Sequence, residues 1–290
     1  MSRGREEAPA SAVEAPDGGE TPAGGPLIIG HRGASAFAPE NTHAAFRMAF
    51  DEAVDGIEFD VRLARDGVPV VIHDATLERT ALIPGEVEEC TSAMLTGCRV
   101  GRWFNLRRPK HAQESFADER IPTLAEVFES YGSRLLYVEM KCEDASRRSA
   151  LARAVVELTR AHGLADRVVV KSFEHDSLAE VKRLAPEIRT AALFGRSWPR
   201  PLVPAAHIFD AAERCGADEI SLHRSLLRKA TAEGARRRGF GVLVWTVNSP
   251  FWLRRAYALG LRAVFTDCPA EMHNWFMQHL PGDAGRRAKR

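Results

Sequence analysis

Short runs of apolar, β-branched residues alternate along this chain with segments of helical periodicity. The runs at 27–30, 56–63, 68–72, 135–140, 168–172, 190–194, 219–222, 241–246 and 263–266 predict strands. Helical patterns lie between most of them, at 41–53, 123–131, 145–162, 176–184, 205–215, 225–238 and 250–259. Two open on a residue suited to cap a helix: Asn41, and Thr123 with Glu126 three residues on. Repeated β–α units of this size imply an α/β fold, a parallel sheet covered by helices. Seven or eight of them over about 250 residues favour a closed (β/α)8 TIM barrel over an open, doubly wound sheet.

Two segments depart from a simple repeat. Between Asp60 and Val70 lie only nine residues, with a turn signal at Asp66 and Gly67. A parallel crossover needs a dozen or more, so these strands are expected to form an antiparallel hairpin. The hairpin accounts for a ninth strand beside an eight-stranded barrel and sets Asp60 roughly opposite His73. Residues 75–121, after the third strand, carry Gly, Pro, Cys90, Cys98, Trp103 and Phe104 without periodicity. A long insertion of this kind reads as a lid or specificity element rather than a disordered loop, because its aromatic residues suit burial.

Composition bounds the rest. Residues 1–25 are rich in Ala, Pro, Gly and Glu and hold no aromatic residue, and 281–290 form a short basic tail; both read as disordered, leaving 26–280 as one barrel domain. The five cysteines are odd in number and include no Cys-x-x-Cys pair, so a disulfide framework or thiolate zinc site is not expected. No signal-like apolar core opens the chain and no apolar stretch of membrane-spanning length occurs, which makes a cytoplasmic protein the default. The segment MHNWFMQHL reads as a helix closing the barrel; peripheral membrane contact has no other support. Lys and Arg number 40 against 39 Asp and Glu, so no basic excess points to nucleic acid and any attraction for an anionic substrate must be local.

The active face of a parallel barrel is at the carboxyl ends of its strands. The residues there are His31, Arg32 and Gly33; Glu58 and Asp60; His73 and Asp74; Glu139 and Lys141; Ser172 and Phe173; and Trp245 to Asn248. Glu58 and Asp60, two apart on a strand, share a face, and inside an apolar barrel they would repel without a cation between them. With Glu139 they make three hard oxygen ligands and no thiolate, a set suited to one divalent cation, Mg²⁺ or Ca²⁺, rather than zinc. His31 and His73 each follow an apolar run and can serve as acid or base near neutral pH. Arg32 and Lys141 supply positive charge for a phosphate. Taken singly, a strand-end His is more often structural, an E-x-D pair an exposed face, and Trp245 a core residue. Their coincidence at one barrel mouth is what reads as phosphoryl chemistry.

The blocks HRGASAFAPENTHAAF, GIEFDVRLARDGVPVVIHDATLERT, RIPTLAEVF, VEMK, VKSF, WTVN and FTDCP, in this order from about residue 27 to 275, resemble the glycerophosphodiester phosphodiesterase family. The resemblance implies a distorted (β/α)8 barrel that hydrolyses glycerophosphodiesters to sn-glycerol 3-phosphate and an alcohol. It implies His31 and His73 as general acid and base, Glu58, Asp60 and Glu139 on the divalent ion, and Arg32 and Lys141 on the phosphate. Glu40, Asn41 and Trp245 take supporting positions, and the insertion after His73 becomes a small cap. The nucleophile is water, or the glycerol 2-hydroxyl acting first. The chain departs from the family where Ala81, Leu82, Ile83, Pro84 and Gly85 replace a second Thr and a Gly-rich stretch, which puts the alcohol in question. A second reading keeps the site for a lysophospholipid, with Trp198, Phe251 and Trp252 lining an apolar mouth. A third, a non-catalytic binding module, would have lost one of the five central residues, and all five are present.

Overall fold

The computed structural model describes residues 25–195 and 203–279. The expected disordered ends (Gly25 apart) and Trp198 lie outside these residues. Nine strands form one sheet: β1 Leu27–His31, β2 Gly56–Leu63, β3 Pro69–Val71, β4 Leu135–Met140, β5 Val168–Ser172, β6 Arg189–Phe194, β7 Glu219–His223, β8 Gly241–Trp245 and β9 Ala263–Thr266. Eight run parallel and close on themselves through the β1–β2 and β1–β9 pairings, with helices between strands: a TIM barrel. β3 stands outside the circle, antiparallel to β2, as the short link demands. Its register pairs Val61 with Val71, and the Ile72 amide donates to the Asp60 carbonyl at 3.0 Å, so His73 follows one residue beyond the position facing Asp60.

Alternation on β2 sorts its side chains. Ile57, Phe59 and Val61 face outward into the main core beneath the helices, while Glu58, Asp60 and Arg62 take the opposite face. A second, smaller core fills the barrel interior with Leu27, Ile29, Tyr137, Val169, Leu243 and Phe265. Along β5 the interior row runs from Val169 to Lys171, two residues on.

The helices are α1 His43–Asp51, α2 Ser92–Gly97, α3 Arg102–Arg107, α4 Leu124–Tyr131, α5 Ala145–Ala161, α6 His175–Leu184, α7 Ala205–Arg214, α8 Lys229–Arg237, α9 Pro250–Ala258 and α10 Pro269–His279. Thr123 caps α4 reciprocally with Glu126, as expected. At α1 the cap is Thr42, not Asn41: the Thr42 hydroxyl accepts from the Ala45 amide, while Asn41 adopts φ 59° and turns its side chain to Asp60. The pattern read as one helix over 225–238 divides into a single tight turn at Arg224–Leu226 and then α8. The C-terminal apolar segment is α10, held by buried Met272 and Phe276.

The insertion is ordered. It contains α2, α3 and three short 3₁₀ turns, with Leu95, Phe104 and Phe116 buried. Phe104 and Phe116 pack on Ala38 and on Ala44 and Ala45 of α1, which holds the insertion beside the barrel mouth, where Phe104 lines a cavity with His31 at the end of β1. Phe251 and Trp252 fall in the first turn of α9 rather than in a loop; Trp252 packs against the main core and Phe251 is exposed. Among the described residues, no helix is long and apolar enough to cross a membrane.

Candidate active site

Strand register builds the site. Pairing sets His31 beside Glu58, Asp60 beside Glu139, and Glu139 beside Lys171. The turn after β1 brings Arg32 back over the same end. Arg32 takes φ 57° and Gly33 φ 80°, where a Cβ on Gly33 would lie 2.6 Å from the Ala45 backbone. Only glycine fits there, so the close approach of this turn to α1 is written into the His-Arg-Gly sequence. Arg32 accepts the less favourable conformation in return for three contacts. Its amide donates to Glu58 at 3.2 Å, and its guanidinium meets Glu40 at 2.8 Å and Asp60 at 3.1 Å.

Glu58, Asp60 and Glu139 are buried, with one carboxylate oxygen from each lying within 4.8 Å of the others. Lys141 Nζ is 2.5 Å from Glu139 and 3.4 Å from Asp60. Burial opposes charge on all three carboxylates. For Glu58 the charges of Lys171 and His31 outweigh it, and for Asp60 those of Arg32 and Lys141, so both stay below the ordinary carboxylate range. For Glu139 burial prevails over Lys171 and Lys141 and its pKa is pushed up. Asp60 Oδ1 and Glu139 Oε1 are buried and both face the Lys141 ammonium. Three buried carboxylates converging with hard oxygen donors and no thiolate fit a divalent cation.

Each histidine is held by a carboxylate at Nδ1. His31 Nδ1 lies 2.6 Å from Asp267, and His73 Nδ1 lies 2.6 Å from Asp74. An ionised carboxylate only accepts, so Nδ1 carries the proton and Nε2 is left to exchange one; His31 Nε2 is 3.9 Å from Glu58. Burial works against a charged His31, yet Glu58 and Asp267 outweigh it and raise its pKa; at His73 burial wins and the pKa falls.

The supporting positions divide. Asn41 braces Asp60 with two hydrogen bonds, at 2.9 and 3.2 Å. Glu40 joins Arg32 to Arg79. Trp245 makes no hydrogen bond to the carboxylates: its indole donates to the Ser221 carbonyl and its ring meets Phe173 and His223 edge-on, with Phe173 in turn beneath the Lys141 ammonium at 5.7 Å.

Two members of the site were not expected. Lys171 is almost wholly buried, 3.1 Å from Glu58 and 3.7 Å from Glu139, over the face of Phe265. Its signal was a lone cation in the apolar run VVVKS, on the interior parity of the strand. Asp267 follows β9 at the level of His31, and its signal was simply its place after a strand end. Asn248 and Ser35 also donate to it. Burial disfavours its charge, but the His31 hydrogen bond and charge dominate and hold the carboxyl at about 2. A depressed pKa stabilises the fold above the unfolded value near 4, and that contribution disappears as pH falls toward 2. Asp267→Asn is therefore expected to cost at most about 2 kcal/mol at pH 7, the gap from wild type narrowing in urea unfolding as pH drops from 5 to 3. The same variant should lower kcat at least about tenfold by releasing the ring orientation of His31.

Residues 31–271 match the glycerophosphoryl diester phosphodiesterase family. The glycerophosphodiester phosphodiesterase of Caldanaerobacter subterraneus subsp. tengcongensis is 32% identical over 252 residues, covering 86% of this chain and 96% of that protein. A glycerophosphodiester phosphodiesterase of Bacillus subtilis is 29% identical over 254 residues, covering 85% of each. Among solved structures, a phosphodiesterase of Oleispira antarctica in complex with the product sn-glycerol-3-phosphate superposes with a TM-score of 0.74 at 30% identity, over 87% of this chain and 96% of that one. A match across most of the barrel, with relatives similar over nearly their whole length, places this chain in the glycerophosphoryl diester phosphodiesterase family of hydrolases.

Proposed function

We propose that this enzyme hydrolyses small glycerophosphodiesters to sn-glycerol 3-phosphate and an alcohol, with His31 and His73 moving the protons. The observation that carries this reading is the pair of carboxylate-anchored histidines at one mouth, His31 on Asp267 and His73 on Asp74, beside the buried carboxylate cluster. One ring takes the proton of the attacking hydroxyl while the other supplies one to the departing oxygen. Two rings are needed because a single group cannot hold both protonation states in one step. Glu58, Asp60 and Glu139 would hold one divalent cation, Mg²⁺ or Ca²⁺, which when bound supplies Lewis-acid stabilisation of charge on the phosphoryl group. Arg32 and Lys141 orient the phosphate from the rim of the same cluster, each anchored on Asp60. The product bound by the Oleispira antarctica relative supports sn-glycerol 3-phosphate as the half retained at this end. Five free cysteines support a reducing compartment such as the cytoplasm.

The lysophospholipid reading loses its apolar mouth in part. Neither Phe251 nor Trp252 is among the residues lining the cavity beside His31. A direct test compares choline release from glycerophosphocholine and lysophosphatidylcholine, with Mg²⁺, Ca²⁺ or chelator. The expected result is a higher kcat/KM on glycerophosphocholine, with activity dependent on the ion. Equal or faster release from lysophosphatidylcholine would turn the assignment toward the lipid.

A further inference from the structure

The chain is nearly neutral overall, but the cap is not. From Cys90 to Gln113 no acidic residue occurs, while Arg99, Arg102, Arg107, Arg108 and Lys110 do. Of these, Arg99 pairs with Asp118 at 3.4 Å. Arg107 and Arg108 are exposed, and among the described residues their guanidinium groups make neither a hydrogen bond nor an ion pair. An unpaired guanidinium on the surface is ordinary, so position decides. Arg108 and Trp103 line a cavity of about 370 Å³ together with His31 and Asp267. The same two residues line a second cavity of about 470 Å³ with Arg79, Leu82, Leu106 and Arg107. The two spaces therefore adjoin at Arg108, one holding a candidate proton-transfer group and the other roofed by the cap.

Charge in the outer cavity is one-sided. Arg79 is committed to Glu40 and Asp74, and it also covers the Trp103 ring at 5.3 Å. Glu78 is the one carboxylate among the residues lining that cavity, and Thr76 engages it. A quaternary ammonium needs a bare aromatic face or a free carboxylate. Here the indole face already carries a guanidinium, and the free groups are Arg107 and Arg108.

Resting on the proposed glycerophosphodiesterase reading, we infer that the alcohol half of the substrate lies in this outer cavity and carries a negative charge that Arg108 recognises. A phosphate or carboxylate there would receive a guanidinium fork, and choline would meet three guanidinium groups against the one carboxylate of Glu78. Leu82, from the segment that departs from the family pattern, supplies part of the apolar wall, so the departure shapes the alcohol side and leaves the reacting groups alone.

The test uses the full-length enzyme with Mg²⁺ or Ca²⁺ and three substrates of graded charge: glycerophosphocholine, glycerophosphoglycerol, and glycerophosphoglycerol bearing a terminal phosphate. The readout is the ratio of kcat/KM for the phosphorylated substrate over glycerophosphocholine. Wild type is expected to favour the anionic substrate by about tenfold or more, the usual worth of a charge-assisted hydrogen bond. Arg108→Gln should bring the ratio close to one, Arg108→Lys should keep most of it, and added salt should shrink it. An unchanged ratio in Arg108→Gln, or a wild-type preference for glycerophosphocholine, overturns the inference. So does a loss of binding to anionic phosphatidylglycerol vesicles in Arg108→Gln with the ratio intact, which would make the basic segment a membrane contact. Absence of sn-glycerol 3-phosphate from all three substrates would instead overturn the reading on which the inference rests.

Discussion

Replacing either His31 or His73 with Ala is expected to lower kcat at least about a hundredfold, the customary contribution of one acid–base group. The size follows from how each ring is held. Asp267 and Asp74 fix the two Nδ1 atoms, so each ring is aligned before substrate arrives and its loss removes a positioned proton carrier. If the two act in one displacement, the double variant should fall little below the weaker single variant, because half of a proton relay is nearly as poor as none. Wild-type kcat/KM should follow a bell against pH, and each single variant should lose one limb. Folding should survive both changes, since both rings sit at strand ends and are part-exposed rather than in either apolar core. Near-normal turnover in both single variants would sink the assignment.

The features legible in the sequence are those governed by short-range geometry. A link of nine residues cannot cross a barrel, so the β2–β3 hairpin followed from chain length alone. Strand alternation placed Glu58 and Asp60 on one face, and the register then set Glu139 beside Asp60. Less legible were features that depend on several elements at once. Asp267 becomes the partner of His31 only when the barrel closes and β9 lies against β1, more than two hundred residues away in sequence. Lys171 was not singled out within its apolar run, and its place became plain only when the register set it across from Glu139. Asn41 was read as a helix cap because its side chain suits one. Tertiary contact with Asp60 claimed that side chain, and the neighbouring Thr42 capped α1 instead. The helices of the cap were invisible to periodicity for a simpler reason: α2 and α3 span six residues each, less than two turns, too short to show a repeating face.

Neutralising a carboxylate of the cluster is expected to be as damaging as losing a histidine, and by a separable route. Asp60→Asn and Glu139→Gln each remove a hard, charged oxygen from the group best suited to a divalent cation. If that ion supplies the several kcal/mol typical of Lewis-acid catalysis, kcat should fall at least about a hundredfold in either variant, and chelation should do the same to wild type. Loss of the ion should not unfold the protein. Arg32, Lys141 and Lys171 already face Glu58, Asp60 and Glu139, three cations against three anions, so the barrel mouth stays compensated without metal. Binding to the native state alone should then appear as a rise in melting temperature, since an ion present at a hundred times its Kd stabilises by about 2.7 kcal/mol. Wild type should show that rise with Mg²⁺ or Ca²⁺, and Asp60→Asn should show little of it at the same concentration. Full activity after exhaustive chelation, or an equal thermal shift in Asp60→Asn, would mean that the three carboxylates serve only to pair with the three cations around them.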